Sequence, residues 1–178
     1  MAESNGTQIH PLEKRWIWIS TLLLAAMMLL IVYTAVAMRV HPPSNLETID
    51  SAKLHLTREF AEENLGVRQE KDGTLVARIV MSRFMFHPQE ITLPAGHPIV
   101  VRAASADVIH GLHVPGTNLA TQVVPGYVAQ VRTTISFDSV SRVGVHNPDG
   151  SVTLPLFCDE YCGLGHQSMV GRVRVTRP

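Results

Sequence analysis

The sequence predicts a mainly β domain, an antiparallel sandwich or barrel, preceded by one apolar helix that spans a membrane. From Thr74 onward, short β-rich segments are separated by Gly- and Pro-containing turns, with no helical pattern between them. Nearer the N-terminus, residues 16–38 form an apolar stretch without a charged side chain. A membrane-spanning helix needs about 20 predominantly apolar residues, so this stretch is long enough.

The apolar stretch at residues 16–38 is interpreted as an uncleaved transmembrane helix. A cleaved signal peptide is the alternative, because Ala35–Ala37 resembles a cleavage site, but the stretch exceeds the ~7–15 apolar residues of a signal peptide. Lys14 and Arg15 precede it and Arg39 follows it. This small excess of positive charge favours a cytoplasmic N-terminal tail at residues 1–15 and an exported β domain.

Residues 39–73 are predicted to link the helix to the β domain. Pro43 cannot continue the helical pattern. Apolar residues then recur at partly helical spacing within residues 46–65, which predicts an amphipathic helix near the membrane surface. A solvated, charged linker fits the same residues equally well, because short helices depend on packing for their stability.

The β domain is predicted to occupy residues 74–178. Val170–Thr176 alternates apolar and polar residues, which is typical of a half-buried final strand. Asn147–Gly150 predicts a hairpin tip between two short strands, Val143–His146 and Ser151–Phe157. Further predicted strands are Leu75–Met81, Ile99–Ala104 and Tyr127–Ile135.

Charge and composition exclude several classes of function. The chain has 15 basic and 15 acidic residues, and two of each precede Arg39, so the β domain is balanced as well. This balance argues against nucleic acid binding and against a strongly acidic docking face, and it favours an apolar one. The sequence also contains no phosphate-binding glycine loop and no carboxylate paired with a histidine and a nucleophile. Hydrolytic and phosphoryl-transfer chemistry therefore have no candidate residues.

The segment from Cys158 to Met169 carries the strongest functional signal. It contains both cysteines of the chain, one imidazole and one thioether, and these are ligands that copper prefers. Because one loop cannot enclose an ion, a further ligand is expected from a distant strand end. His110 directly follows an apolar pair, as a buried strand end would, and is preferred over His113.

Other interpretations of this segment remain open. Cys158 and Cys162 are spaced so that they can form a disulfide in an exported domain, but this leaves His166 and Met169 unexplained. A structural zinc site is less consistent, because methionine is a poor zinc ligand. A membrane-anchored copper chaperone is the strongest rival, although such proteins need β-α-β signals that this part of the chain lacks.

Three segments resemble cytochrome c oxidase subunit II, most closely the single-helix, ba-type branch of that family. They are Phe84–Gly96, Asp107–Asn118 and Cys158–Arg172. The resemblance implies a Greek-key cupredoxin β-sandwich. Two departures stand out: the stretch between Phe137 and Cys158 differs from the family pattern, and no tryptophan follows Trp18. Phe84 and Phe86 occupy the corresponding region and are expected to share one face of a strand and hence one environment.

The resemblance also implies a dinuclear copper A centre, in which Cys158 and Cys162 each bridge two copper ions. His110 and Met169 would complete one copper, and His166 with the main-chain carbonyl of Glu160 the other. The side chain of Glu160 would then be free to help bind a magnesium ion at the interface with subunit I. Gln167 and Asp107 are expected to orient the imidazole rings.

By the same resemblance, the chain is the electron-entry subunit of a haem-copper terminal oxidase in the inner (plasma) membrane, with its copper domain on the periplasmic side. A cytochrome c or a small copper protein would donate electrons, and haem in subunit I would accept them for oxygen reduction coupled to proton pumping. A small additional helical subunit would be a further partner. A copper A subunit of a nitric oxide reductase and a copper chaperone are the alternatives.

Overall fold

The computed structural model describes residues 10–38 and 47–177, which belong to two separate compact units. Residues 1–9 of the predicted tail and the predicted helix break at Pro43 lie outside the described residues. The predicted uncharged stretch is helical, as expected, and the β domain is a two-sheet sandwich.

The N-terminal unit contains one helix, α1 (Pro11–Val36), of 26 residues. It begins with a proline at its first turn and is capped by the ring of His10, which accepts a hydrogen bond from the Leu12 N–H. Its apolar residues surround the helix, none of them is buried, and its length and composition are sufficient to cross a membrane. It starts before residue 16, so Lys14 and Arg15 belong to the helix and not to a tail.

The β domain has eleven strands among the described residues. In chain order they are β1 (Gly66–Gln69), β2 (Leu75–Ser82), β3 (Met85–His87), β4 (Glu90–Pro94), β5 (Pro98–Ser105), β6 (His110–His113), β7 (Ala120–Val123), β8 (Val128–Thr134), β9 (Val145–His146), β10 (Val152–Phe157) and β11 (Val170–Thr176). One sheet has the order β1-β2-β5-β8, with β3 also on β2; the other has the order β4-β11-β10-β6-β7, with β9 on β10.

The chain passes repeatedly between the two sheets. As a result, β2 pairs in parallel with β5, and β4 pairs in parallel with β11, although most other neighbours are antiparallel. This strand order confirms the predicted Greek-key sandwich. Alternation along β11 buries Val173 and Val175 and leaves Arg172 and Arg174 on the outer face, so the core lies between the sheets.

Residues 47–64, called the strap below, do not form the predicted amphipathic α-helix. They contain two short 3₁₀ turns, Ser51–Leu56 and Glu62–Asn64, and an extended stretch before them. The strap packs on the sandwich: Leu54 and Phe60 are buried in a small apolar cluster with residues of β5 and β8. Packing against the sheet explains why the helix prediction was wrong, since local periodicity carries no information about this partner.

The structure also extends the sandwich beyond the predicted limit at residue 74. β1 pairs with the first half of β2, and the predicted limit falls in the turn between these two strands. The hairpin predicted at Asn147–Gly150 is present, because β9 pairs with β10. The short helix α2 (Phe137–Ser141), which precedes that hairpin, was not predicted.

Candidate metal centre

The sequence-predicted site residues meet where β10 ends and β6 begins. β10 ends at Phe157, so Cys158 is the first residue of the loop that returns to β11. His110 is the first residue of β6, and β6 pairs with β10 through His113 and Phe157. Two chain segments far apart in sequence therefore face each other at one end of the sandwich.

The two thiols are the centre of this arrangement. The Sγ atoms of Cys158 and Cys162 are 3.9 Å apart, and both cysteines are free. An imidazole nitrogen lies beside each sulfur: His110 Nδ1 is 3.7 Å from Cys158 Sγ, and His166 Nδ1 is 3.7 Å from Cys162 Sγ. The structure therefore brings the sulfurs together without a disulfide and places one ring against each.

Two further donor atoms complete the group. Met169 Sδ is 3.8 Å from Cys162 Sγ, and the main-chain oxygen of Glu160 is 3.2 Å from Cys158 Sγ. The side chains of His110 and Met169 are almost fully buried, at 0% and 1% exposure. All six predicted positions thus converge, and the cysteines and Met169 belong to the hydrophobic core between the sheets.

A carboxylate orients the ring of His110. Its Nε2 atom donates to Asp107 Oδ1 at 2.8 Å, which turns Nδ1 towards the sulfurs. Asp107 also accepts hydrogen bonds from the main-chain N–H groups of Val108 and Arg83, each at 2.7 Å. Burial alone would raise the pKa of Asp107, but the hydrogen bonds from His110 and these N–H groups hold it below its usual value. The predicted orienting role of Asp107 is confirmed.

The structure distinguishes the two candidate histidines of β6. His113 points to the outer face, where its side chain is 41% exposed and its Nδ1 atom lies 3.6 Å from Asp159 Oδ2. His110 is inside, beside Cys158. Because side chains alternate along a strand, residues three apart leave on opposite faces, and the preference for His110 over His113 agrees with the geometry.

Gly111 allows the loop to approach β6 closely. A Cβ atom at this position would lie 1.7 Å from Asp159 Oδ1 and 2.7 Å from the Asp159 nitrogen. The N–H of Gly111 also donates to Cys158 Sγ at 3.4 Å. The sequence indicates only that a glycine after His110 lets the chain turn, because the close approach depends on a residue almost fifty positions away.

Phe84 supports the other half of the loop. Its ring would be 2.4 Å from a Cβ atom at Gly165 and 3.2 Å from one at Gly163, where φ is +132°. Phe86, by contrast, is 1% exposed in the main core. The expectation that both rings lie on one face of a strand was wrong, because Phe84 lies in the turn before β3. Phe84 is half-buried and packs against the same core that contains Phe86.

Burial controls the protonation of the Cys162 thiol. Removal from water, followed by the neighbouring Cys158 thiol, raises the pKa of Cys162 to about 11. Without a metal, this thiol is therefore protonated at neutral pH. Because metals bind the thiolate, occupation of the site must release protons, and the affinity for metal is expected to increase with pH.

The donor set fits copper. It offers two thiolates, two imidazoles, one thioether and one carbonyl oxygen, and the soft sulfur donors favour copper over calcium, magnesium or manganese. Structural zinc sites use four ligands from cysteine, histidine or carboxylates, and a thioether is foreign to them. The described residues contain one cluster of three or more histidine, cysteine or acidic groups with metal-binding geometry, and it includes His110, Cys158 and Cys162.

Comparisons with known proteins point to one family. Residues 77–175 match the family described as cytochrome C oxidase subunit II, periplasmic domain. A cytochrome c oxidase subunit 2 of Thermus thermophilus is 33% identical over 165 residues, which cover 92% of this chain and 90% of the relative. A second Thermus thermophilus protein of that name is 33% identical over 136 residues, or 76% of this chain and 91% of the relative.

A solved structure supports the fold. One chain of a heme-copper terminal oxidase dimer, determined by cryo-EM, is similar with a TM-score of 0.53 and 24% identity, over 92% of this chain and 99% of that chain. The family match covers more than half of this sequence, and the first of these relatives aligns with 92% of it. The chain therefore belongs to the cytochrome c oxidase subunit II family.

Proposed function

We propose that the site holds a dinuclear copper A centre. Its ligands are the side chains of His110, Cys158, Cys162, His166 and Met169 and the main-chain carbonyl of Glu160. The observation that carries this proposal is the sulfur pair, 3.9 Å apart, with an imidazole nitrogen 3.7 Å from each sulfur. Six donors, two of them thiolates, exceed the needs of one tetrahedral ion and would suit two metal ions.

When bound, a copper pair held by these residues would supply a one-electron couple. The chain's part is to hold the donor atoms in place. Asp107 fixes the ring of His110, and the packed core surrounds the cysteines and Met169. Ligands held in this way need little rearrangement, which favours fast electron transfer. In this proposal the thiols and imidazoles serve as metal ligands, and the chain acts as an electron relay.

The chain serves as the electron-entry subunit of a haem-copper oxidase. A periplasmic cytochrome c or small copper protein donates the electron, and haem in subunit I receives it for oxygen reduction coupled to proton pumping. Exposed apolar side chains flank the proposed ligands: Ile109 is 44% exposed, Tyr161 75% and Leu164 90%. With a net formal charge of zero, the chain has little long-range attraction for a charged donor, so these residues are suited to form an apolar docking surface.

The chain is a single-pass protein of the inner (plasma) membrane, with its copper domain on the periplasmic side. Helix α1 has the length of a spanning helix, and Lys14 and Arg15 lie at its N-terminal end. The family description of residues 77–175 as a periplasmic domain supports the same orientation. A small helical subunit would complete the membrane part of the complex.

Glu160 has a second role in this proposal. Its carbonyl faces the sulfurs, while its carboxylate lies on the outer side of the loop and accepts a hydrogen bond from Gln122. Carboxylate oxygens suit magnesium. A magnesium ion at the interface with subunit I would therefore use this carboxylate, with further ligands from the partner.

Copper loading of the full-length chain in detergent tests the proposal. We expect about two coppers per chain and the purple, mixed-valence absorption of an electron shared by both. One labile Cu(I) per chain would contradict the relay and support a copper chaperone. The subunit that copurifies from membranes separates a terminal oxidase from a nitric oxide reductase, because their catalytic subunits differ in active-site residues.

A further inference from the structure

The first part of the metal-binding loop, Cys158–Glu160, is attached to the β6–β7 hairpin. Gly111 of β6 lies opposite Gln122 of β7 in the strand register. Each loop residue contacts this hairpin: the Gly111 N–H donates to Cys158 Sγ, His113 lies beside Asp159, and Gln122 contacts Glu160. The loop is therefore aligned with the hairpin residue by residue.

The contact at Glu160 differs from the other two, because a restraint on the Glu160 carboxylate also affects the main-chain carbonyl of the same residue. Gln122 Nε2 donates a hydrogen bond to Oε1 of the Glu160 carboxylate, and the two atoms are 2.5 Å apart. The two residues are 38 positions apart in the sequence. The main-chain oxygen of the same glutamate is 3.2 Å from Cys158 Sγ. A side chain anchored to β7 limits the rotation of Glu160, and with it the direction of its carbonyl.

We propose that Gln122 is a positioning residue for the metal centre: through the Glu160 carboxylate it holds the Glu160 carbonyl towards the thiolates. This inference rests on the proposed copper centre. Thiolates and imidazoles bind copper strongly, so they would still bind it if the loop were less rigid. A neutral carbonyl is a weak donor, so its distance from the metal is set by the protein. A restraint on that carbonyl therefore changes the properties of the metal centre more than a restraint on any stronger ligand.

The variant Gln122→Leu in the full-length chain tests this role. Two coppers should still bind, but the absorption bands of the copper pair should shift and its reduction potential should rise. The rise is expected because a weakened oxygen donor stabilises the oxidised copper less. In the copper-free chain, amide hydrogens of residues 159–161 should exchange about tenfold faster, the size expected for one net hydrogen bond to a charged group. Gln69→Leu, which removes an exposed glutamine that contacts Gly73, is the matched control.

An exchange of the two side chains separates positioning from simple structural damage. Gln122→Glu alone places two carboxylates together and should reproduce the Gln122→Leu shift. Adding Glu160→Gln recreates the hydrogen bond with donor and acceptor reversed and the same total charge, so the parent spectrum and potential should return. If Gln122→Leu does not fold, the chain with both Gln122→Glu and Glu160→Gln still tests the positioning role of Gln122.

The outcomes distinguish this inference from the function on which it rests. A parent chain with two mixed-valence coppers, together with a Gln122→Leu variant of identical spectrum, potential and loop exchange, would overturn the positioning role alone. Failure of the exchanged pair to restore the parent values would do the same. A parent chain that never binds a copper pair would instead overturn the proposed function.

Discussion

The β domain contains two apolar clusters that are built in different ways. The main cluster lies between the two sheets and includes Cys158, Cys162 and Met169 among its buried residues. The smaller cluster lies between the strap and the first sheet, where Leu54 and Phe60 pack on Ala104 and Val128. The first is enclosed by strands on both sides, whereas the second is covered by a single segment without α-helix.

Polar contacts also hold the strap on the first sheet, where it alone covers the smaller cluster. Arg102 of β5 donates hydrogen bonds to the carboxylate of Glu47, at the start of the strap, and to that of Glu59, in its second half. Main-chain bonds join Glu47 and Ile49 to the start of β8. The metal centre and the strap are therefore expected to be separable: the ligands depend on the main core, and the strap depends on its own apolar and ionic contacts.

The largest effect is expected from a ligand in the main core. Cys162→Ser removes one of the two sulfurs, so the shared-electron spectrum of the copper pair should be lost completely, as it should in His110→Ala. Absorption and electron paramagnetic resonance spectra of the copper-loaded chain measure this loss. His113→Ala is the control and should keep the spectrum, since its ring faces Asp159. A paired-copper spectrum that survives in His110→Ala and disappears in His113→Ala would reverse the ligand assignment.

A large effect on stability, without an effect on the metal, is expected in the strap. Phe60→Ala removes a side chain that is 2% exposed, and such substitutions cost about 3–5 kcal/mol of unfolding free energy. Denaturant unfolding of the copper-free chain measures the loss. Leu56→Ala, at a position 70% exposed in the same strap, should change stability by less than about 0.5 kcal/mol. If Phe60→Ala also removed the copper spectrum, the two clusters would not be separable.

A smaller loss is expected from the ionic contact of the strap. Glu59→Gln weakens the charge-assisted hydrogen bond from Arg102. The side chain of Arg102 is 15% exposed and the side chain of Glu59 is 26% exposed. We expect a loss of about 1–2 kcal/mol, reduced at high salt because the pair is only partly shielded from water. Glu62→Gln, at an exposed position of the strap, is the control. Equal stability of the Glu59→Gln and parent chains would show that the Glu59–Arg102 ion pair does not stabilise the strap.

The smallest effect is expected far from both clusters, at the β9–β10 turn. Hydrogen bonds from Ser151, followed by Arg174, lower the pKa of Asp149 from 3.8 to about 2. A carboxylate with a depressed pKa stabilises the fold above the unfolded-state value and loses this contribution as the pH falls through the folded-state value. Asp149→Asn should therefore be less stable than the parent above about pH 4, and the difference should vanish near pH 2.

Acid unfolding curves of the two chains measure this difference. Asp138→Asn, in the short helix α2, serves as the control and should follow the parent curve. A difference that grows below pH 4 would have the wrong sign for a carboxylate whose pKa is lowered by folding.

Local sequence patterns were sufficient to predict much of the structure of this protein. The uncharged stretch predicted α1, alternation predicted β11, and the sulfur and imidazole groups of a single loop indicated the metal centre. The choice of His110 over His113 was also possible from a local argument about strand ends. Each of these features depends on residues that are neighbours in the chain, where spacing and side-chain chemistry act directly.

Contacts between distant residues required the folded chain. The sequence predicted an amphipathic helix or a charged linker for the strap, because its packing against β5 and β8 leaves no local signal. The contacts of Gln122 with Glu160 and of Phe84 with the loop glycines join positions far apart in sequence. The sequence by itself thus determines which atoms can bind a metal, while the distances between those atoms depend on how two sheets pack, because the strand register and burial bring remote side chains together.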